Sequence, residues 1–452
     1  MLKNYLKIAF RNLRKHKGYS FINVTGLAVG IACCLLILLF VQDELSYDRF
    51  HKNADKIYRV TEEVNWSGGY ENVASIPYSV ATALANDFPQ IENTCRLYRQ
   101  NRSVSLRYGD KQFTEEKFFF ADPAIFEVFS FTLSEGNPQT ALQGATGVVI
   151  SEAIAQKYFG DENPIGKILE YQNNQTLTVT GVLNPIPENS HLKFDFLAPF
   201  EFNAGVRQFE QNWYWTAFWT YLVLPDAETA ENLERQLPNF VEKYFPESIR
   251  EGTALSLQKL TDIHLSVSYT HLVEANGNII YIYVFSAIAL LVLLIACINF
   301  MNLATARSAK RAKEVGLRKV LGAYRSNLIK QFLGEAMLMS VFAVVLGLGI
   351  VELCLPVFNG LVDKSLATNY LDNWPILGGI FAIAIFVGII AGSYPAFFLS
   401  GFRPVNVLKG KPASTGATSR SSLRKILVVA QFIVSIVLLI GVGIIAEQLE
   451  FF

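Results

Sequence analysis

The sequence predicts a multi-pass α-helical membrane protein: a four-span unit plus the start of a fifth span, with a large extracytoplasmic α+β domain that contains an inserted, mostly β subdomain. Three observations predict it. Hydrophobic residues make up 51% of the 452. They are gathered in five blocks: Phe21–Val41, Ile279–Leu303, Phe332–Phe358, Pro375–Leu399 and Ile426–Ala446. The net charge of zero conceals an asymmetry. Residues 1–20, 305–330 and 400–425 hold 20 of the 39 Lys/Arg and one acid, whereas 43–279 holds 18 Lys/Arg against 32 Asp/Glu, a net charge of −14. Each block has about 20 residues with few charges, the length that crosses a hydrocarbon core. One such block could equally be a buried soluble helix; five with these flanks argue for membrane spans. Basic segments mark the cytoplasmic side. The N-terminus is therefore inside and the acidic segment outside.

Residues 1–20 pattern as a cytoplasmic amphipathic helix, with Leu6, Ala9, Phe10 and Leu13 on one side and Lys3, Lys7, Arg11 and Arg14 on another. A plain basic flank is the alternative reading. The first span, 21–42, carries the small-residue face Gly26, Ala28, Gly30 and Ala32, which lets helices approach closely in lipid. Its apolar run is too long for a signal peptide and lacks an A-x-A-like cleavage site.

The outer domain is expected over 43–278. Strand-like runs at Lys56–Glu62, Thr94–Tyr98 and Ala254–Lys259 alternate with helices at Tyr78–Asp87 and Glu228–Tyr244, giving an α+β part at about 43–102 and 225–278. Between them, about 103–224, short β runs dominate: Ser103–Tyr108, Gly147–Ile150, Thr176–Val182 and Trp219–Leu224, with one Ser-capped helix, Ser151–Phe159. This middle is read as the inserted subdomain. Its aromatics (Phe118–Phe120, Trp213, Tyr214, Trp215, Phe218, Trp219) read first as core and second as a contact surface.

Next come the second span (279–304), a cytoplasmic segment (305–331), the third span (332–358), a short periplasmic linker (359–374) and the fourth span (375–399). A cytoplasmic linker (400–424), polar and flexible in composition over 411–422, precedes the fifth span (425–446). Basic residues followed by a span repeat the layout of the opening, so this end reads as the start of a second copy of the unit.

The cytoplasmic segment is the most informative. It carries eight basic residues against one acid, Glu314, around the run Lys313-Glu314-Val315-Gly316-Leu317-Arg318-Lys319-Val320-Leu321-Gly322-Ala323. Val315, Leu317, Val320, Leu321 and Leu328 recur at roughly helical spacing, and Gly322 is placed to end one helix before another begins. The plain reading is a helix-turn-helix loop. The sharper one is a docking element for a cytoplasmic partner.

Catalytic chemistry has no foothold. Gly160–Ile168 misses a phosphate loop by one extra residue between its glycines and by Ile168 in place of Ser/Thr. His16, His51, His191, His264 and His271 show no ligand spacing, and Cys95 is the one cysteine outside the apolar blocks. The basic clusters abut spans, which argues against nucleic acid. Glu335 and Glu352 are expected near the two ends of the third span, where snorkelling relieves their cost.

The run AKRAKEVGLRKVLGAYRSNLIKQFLGEA resembles the cytoplasmic signature of FtsX-like permeases, the family that includes the MacB and LolC/LolE types. Gly392–Ala396, followed by Phe402–Lys409, resembles that family's exit from its fourth span. Ala54–Val60, VVISEAIAQKYFGDENPIGKIL (148–169) and Leu260–Leu265 resemble a MacB-type periplasmic core domain. The resemblance implies a non-enzymatic ABC permease subunit. ATP and magnesium would be bound by a separate cytoplasmic ATPase, with no cofactor on this chain. Lys313–Ala323 would be the coupling helix seated on that ATPase. Closure would be relayed through the spans to the outer domain (mechanotransmission), exporting or extracting a peptide, drug or lipoprotein. It further implies a homodimer, or internal pairing in members with two units, and a periplasmic adaptor. The division-type members of the family, which activate an extracytoplasmic enzyme, supply the alternative function.

Overall fold

The computed structural model describes residues 17–66, 69–100, 102–172, 175–266, 269–273, 276–306, 308–368, 374–401 and 417–451. Most of the expected N-terminal amphipathic helix and most of the 400–424 linker lie outside them. The chain divides into two units: Asp43–Tyr281, and the flanking segments up to Gln42 and from Ile282 onward.

The membrane unit contains α1 (Lys17–Leu45), and later in the chain five further long helices. For the outer unit, α2 is Tyr78–Asp87, α3 Glu152–Phe159, α4 Ala227–Glu234 and α5 Leu237–Tyr244. The later helices are α6 (Ile279–Ala306), α7 (Ser308–Val320), α8 (Arg325–Val362), α9 (Trp374–Ser400) and α10 (Ala417–Phe451). Four of them, α1, α6, α8 and α9, are long and apolar enough to cross a membrane, and the apolar part of α10 runs over Lys425–Gly441. Their shared core is built from small and branched residues: Ala28 and Ile31 of α1, Ala296 and Cys297 of α6, Ala343 of α8, and Val387 and Ala391 of α9. The small-residue face does what its composition predicts. A Cβ on Gly30 would stand 2.6 Å from the Cβ of Ala296, and Gly347 of α8 lies against the Ala28 carbonyl. Lipid offers no hydrophobic drive between helices, so such close backbone approach is what holds them.

In the outer unit the strands are β1 (Ile57–Trp66), β2 (Gly69–Val73), β3 (Ile76–Pro77), β4 (Asn93–Arg99), β5 (Val104–Tyr108), β6 (Lys111–Glu115) and β7 (Phe118–Ala121). They continue with β8 (Leu133–Gly136), β9 (Gly147–Ser151), β10 (Ile168–Tyr171), β11 (Gln175–Leu183), β12 (Phe196–Pro199), β13 (Thr216–Val223) and β14 (Thr253–Lys259). They join in the order β14-β1-β13-β4-β7-β12-β9-β11-β10-β5-β6, with β2 on β1, β3 on β13 and β8 on β11. The α+β part and the middle are therefore continuous through one hydrogen-bonded path.

Two sequence expectations change here. β13, assigned to the inserted part, hydrogen-bonds between β1 and β4 at the centre of the α+β part. Its run of Phe218, Trp219, Tyr221 and Leu222 is buried on both faces, as a central strand requires, and such a run carries no sign of its neighbours. The single helix expected at Glu228–Tyr244 is two, α4 and α5, because Pro238 sits in the first turn of α5 and cannot continue the preceding hydrogen-bond ladder. The capped helix forms as α3, with Ser151 Oγ accepting from the Ile154 amide.

Alternation distributes the aromatics between cores. Phe119 faces the cluster with Leu97, Trp219 and Tyr221, while its neighbours Phe118 and Phe120 face the cluster with Ile150, Tyr158 and Phe196. Phe218 and Trp219 are core, whereas Tyr214 and Trp215 are exposed.

Candidate functional site

Helix α7 ends in a glycine cap whose geometry follows from one residue type. Gly322 has φ +94°, a left-handed conformation that costs glycine little. Its amide donates to the Lys319 carbonyl, and the Ala323 amide donates to the Arg318 carbonyl. This Schellman pair satisfies carbonyls that a helix end would leave orphaned, and lets α8 start at Arg325.

The two faces of α7 differ. Inward, Val315 is buried against Leu328 and Phe332 of α8 and Ala396 and Leu399 of α9, with Gly316 buried beside it. Outward, Leu317, Val320, Leu321 and Tyr324 are 55%, 59%, 78% and 76% exposed. Leu317 and Val320 stand one turn apart on α7, and Leu321 and Tyr324 lie in the turn that follows it, so four exposed apolar side chains fall within eight residues at the tip of a basic segment. Lys313 lies in the helix, with its side chain outside the described set.

Polar side chains fasten this element to the spans. The Arg318 guanidinium donates to Glu314 Oε1 at 2.6 Å and to Gln331 Oε1 at 2.7 Å. Gln331 Nε2 donates onward to Glu335 Oε1 at 3.2 Å. Lys319 Nζ donates to the Ser400 carbonyl at 2.6 Å; burial, and secondarily Arg325, lowers its pKa. These contacts run from α7 into α8 and, separately, to the end of α9. Glu335 does not snorkel as expected. Because α8 begins at Arg325, Glu335 stands almost three turns inside it, buried, and is met by Gln331.

A second constellation, invisible to spacing arguments, lies in the outer unit where the chain leaves the first span. Asn189 Nδ2 donates to the Ser46 carbonyl at 3.1 Å, and the Asp48 amide donates to the Asn189 carbonyl at 2.9 Å. Asp48 Oδ2 lies 2.8 Å from His191 Nδ1, and His191 Nε2 lies 2.7 Å from the Tyr221 hydroxyl. Burial acts to raise the Asp48 pKa, but His191 outweighs it and the net shift is downward. His264 Nε2 meets Glu44 Oε2 at 3.0 Å and its ring stacks on Tyr47. A Cβ on Gly277 would stand 2.6 Å from Glu44 Oε2 and 2.9 Å from His264 Nε2, so a side chain there would displace one of the pair. The last turn of α1 and a residue just after it, Glu44 and Tyr47, thereby meet one imidazole. Glu44 is 220 residues from His264 and Asp48 is 143 from His191, so only the fold brings each pair together. Among the described residues no group of His, Cys, Asp or Glu is arranged to hold a metal ion.

The model of the MacB-like periplasmic core domain matches residues 20–240, and that of the FtsX-like permease C-terminal region matches 260–404. The ABC transporter permease YknZ of Bacillus subtilis is 22% identical over 90% of this chain and 99% of its own. The macrolide export ATP-binding/permease protein MacB of Neisseria meningitidis serogroup A is 27% identical over 59% of this chain, which spans 38% of that relative's length. Among solved structures, a domain of a permease protein from Porphyromonas gingivalis covers 46% of this chain and 91% of its own at 22% identity and a TM-score of 0.42. The periplasmic region of MacB from Actinobacillus actinomycetemcomitans gives 16% identity, the same 46% and 91% coverage, and a TM-score of 0.34. This chain matches the permease part of such proteins. With the two family models covering most of its length and four membrane-spanning helices flanking the outer domain, the chain belongs to the FtsX-like permeases of ABC transporters, as a multi-pass inner-membrane protein with a MacB-like periplasmic core domain.

Proposed function

We propose that this permease converts ATP hydrolysis on a separate cytoplasmic ATPase into movement of its periplasmic domain, driving export or extraction of a periplasmic or membrane-held substrate. The observation that carries the reading is the exposed apolar group Leu317, Val320, Leu321 and Tyr324, backed by a buried face fastened to two spans. Solvent-exposed apolar side chains gathered at a helix tip are what a partner's groove covers. In this reading Lys313–Ala323 is the coupling helix, ATP and magnesium sit on the ATPase, and push or pull passes through Arg318, Gln331 and Lys319 into α8 and α9. At the other end, the Glu44–His264 and Asp48–His191 contacts stiffen the stretch through which the first span moves the outer domain. Two copies of the unit, in one chain or two, would flank the ATPase dimer, and an adaptor would continue the path outward. In this reading the cargo is a substrate such as a peptide, drug or lipoprotein, and relatives named for macrolide export fit the drug class.

Co-purification tests it. The wild-type chain should bring down a P-loop ATPase from native membranes, and Leu317→Asp with Leu321→Asp should lose it while the permease still inserts. Retention of the ATPase by that double variant would end the coupling-helix reading.

A further inference from the structure

The outer domain holds an open cavity of about 600 Å³ whose walls mix cations with aromatic faces. Tyr98, Arg99, Arg102, Trp215, Trp219 and Glu116 carry its chemistry. The aromatic wall is fixed in place. Trp219 Nε1 donates to the His271 carbonyl at 2.8 Å, and Tyr98 packs against Phe120, Phe218 and Trp215. Arg99 is held too: its Nη1 donates to the Val273 carbonyl at 3.4 Å and its guanidinium lies 5.9 Å from the Phe119 ring centre. That leaves most of its five N–H donors for something else.

Fewer than half of the 18 Lys/Arg in 43–279 are ion-paired among the described residues, and the two at the cavity are not. The surrounding domain has a net charge of −14, and eight of its Lys/Arg pair with carboxylates: Arg96, Arg107, Lys157, Lys167, Arg235, Lys243, Arg250 and Lys259. Among the described residues Arg99 and Arg102 make no ion pair, although acids are in excess all around. The exposed carboxylate of Glu116 at the rim leaves the lining one positive charge in excess with His271 neutral. A guanidinium fork matches a carboxylate or phosphate, and aromatic faces cover an apolar body. The volume falls in the range that encloses small ligands.

We propose that this cavity is a binding site for small amphipathic anions: a carboxylate or phosphate carried on an aromatic or apolar body, with Arg99 and Arg102 taking the charge and Trp215, Trp219 and Tyr98 taking the body. The site stands apart from ATPase docking, since its occupancy is measured with no ATPase present.

The test uses the full chain in lipid nanodiscs, with calorimetry and tryptophan fluorescence. The probes are N-acetylphenylalanine, phenyl phosphate and the neutral N-acetylphenylalaninamide. The two anions should bind saturably at one site per chain, and their relative affinity tells carboxylate from phosphate preference. The neutral amide should bind at least about tenfold more weakly. Arg102→Gln, at an exposed position where the fold is not at stake, and Arg99→Gln should each weaken the anions by at least about tenfold. Trp215→Ala should weaken both, and Glu116→Gln should tighten them. Equal binding of the amide, unchanged affinity in Arg102→Gln, or no saturable binding up to roughly ten millimolar probe would overturn the proposal.

Discussion

Arg318 Nη1 donates to Gln331 Oε1 at 2.7 Å, so a side chain rooted in α7 ends inside the packing of the third span. Through Gln331 the same chain reaches the buried carboxylate of Glu335. A docking helix that only bound its partner would not need this connection. One that transmits force does, because the alternative is a hinge that yields.

Arg318→Ala should therefore separate binding from coupling. It removes a charged hydrogen bond, a loss of about 1.5–3 kcal/mol, and takes the Arg318 donor away from the buried Gln331 Oε1. The ATPase should still co-purify, while ATP-driven work by the complex falls at least about tenfold. Arg318→Lys should not rescue it, since an ammonium lacks the fork that holds Glu314 and Gln331 together. Equal loss of binding and work would instead make Arg318 a contact residue for the ATPase.

Close glycine contacts make the second prediction. A Cβ on Gly392 would stand 2.6 Å from the Cβ of Ala336, and one on Gly30 would stand 2.6 Å from that of Ala296. Gly392→Ala and Gly30→Ala should each destabilise the detergent-solubilised protein by about 1–3 kcal/mol, read as a lower melting temperature. Gly349→Ala and Gly378→Ala, where a Cβ meets nothing within 4 Å, should be neutral or slightly stabilising.

The outer domain should show a pH-dependent stability with opposed limbs. Burial lowers the His51 pKa to about 4 from 6.5, with Asp48 opposing that shift and His191 adding to it. The unfolded chain therefore takes up the proton first, and stability falls as pH drops from 6.5 toward 4. Burial raises the Glu62 pKa to about 8 from 4.5. There the folded state keeps its proton longer, and stability falls as pH rises from 4.5 toward 8. The two oppose each other between 4.5 and 6.5. From 6.5 to 8 Glu62 acts alone, a loss of up to about 2 kcal/mol. Thermal melts against pH should show that alkaline loss disappear in Glu62→Gln. His51→Asn should flatten the acid limb and leave the alkaline one.

The parts of the fold that the sequence made legible are those written in local chemistry. Span lengths follow from apolar runs, sidedness from Lys/Arg, the α3 cap from Ser151, and the end of α7 from Gly322. What escaped depends on neighbours distant in the chain. The placement of β13 between β1 and β4 is a matter of pairing, and a strand buried on both faces looks the same wherever it pairs. That Glu335 is buried against Gln331 was hidden because the helix extends back from the apolar run through polar Arg325–Lys330 to the glycine cap, which puts Gln331 one turn before Glu335. The Asp48–His191–Tyr221 chain spans three segments with no shared motif. At the candidate site, spacing gave α7 its helix. Which of its apolar residues face inward, Val315, and which outward, Leu317 and Leu321, needed the packing of α8 and α9.

The most direct test of the account is a photo-crosslink from the tip of α7. A benzoylphenylalanine in place of Leu321, activated in intact cells, should yield an adduct whose second component is a P-loop ATPase. The same probe at the buried Val315 should yield none. An adduct of the ATPase from another cytoplasmic position, such as Lys425, with none from Leu321, would contradict the claim that this helix is where the energy enters.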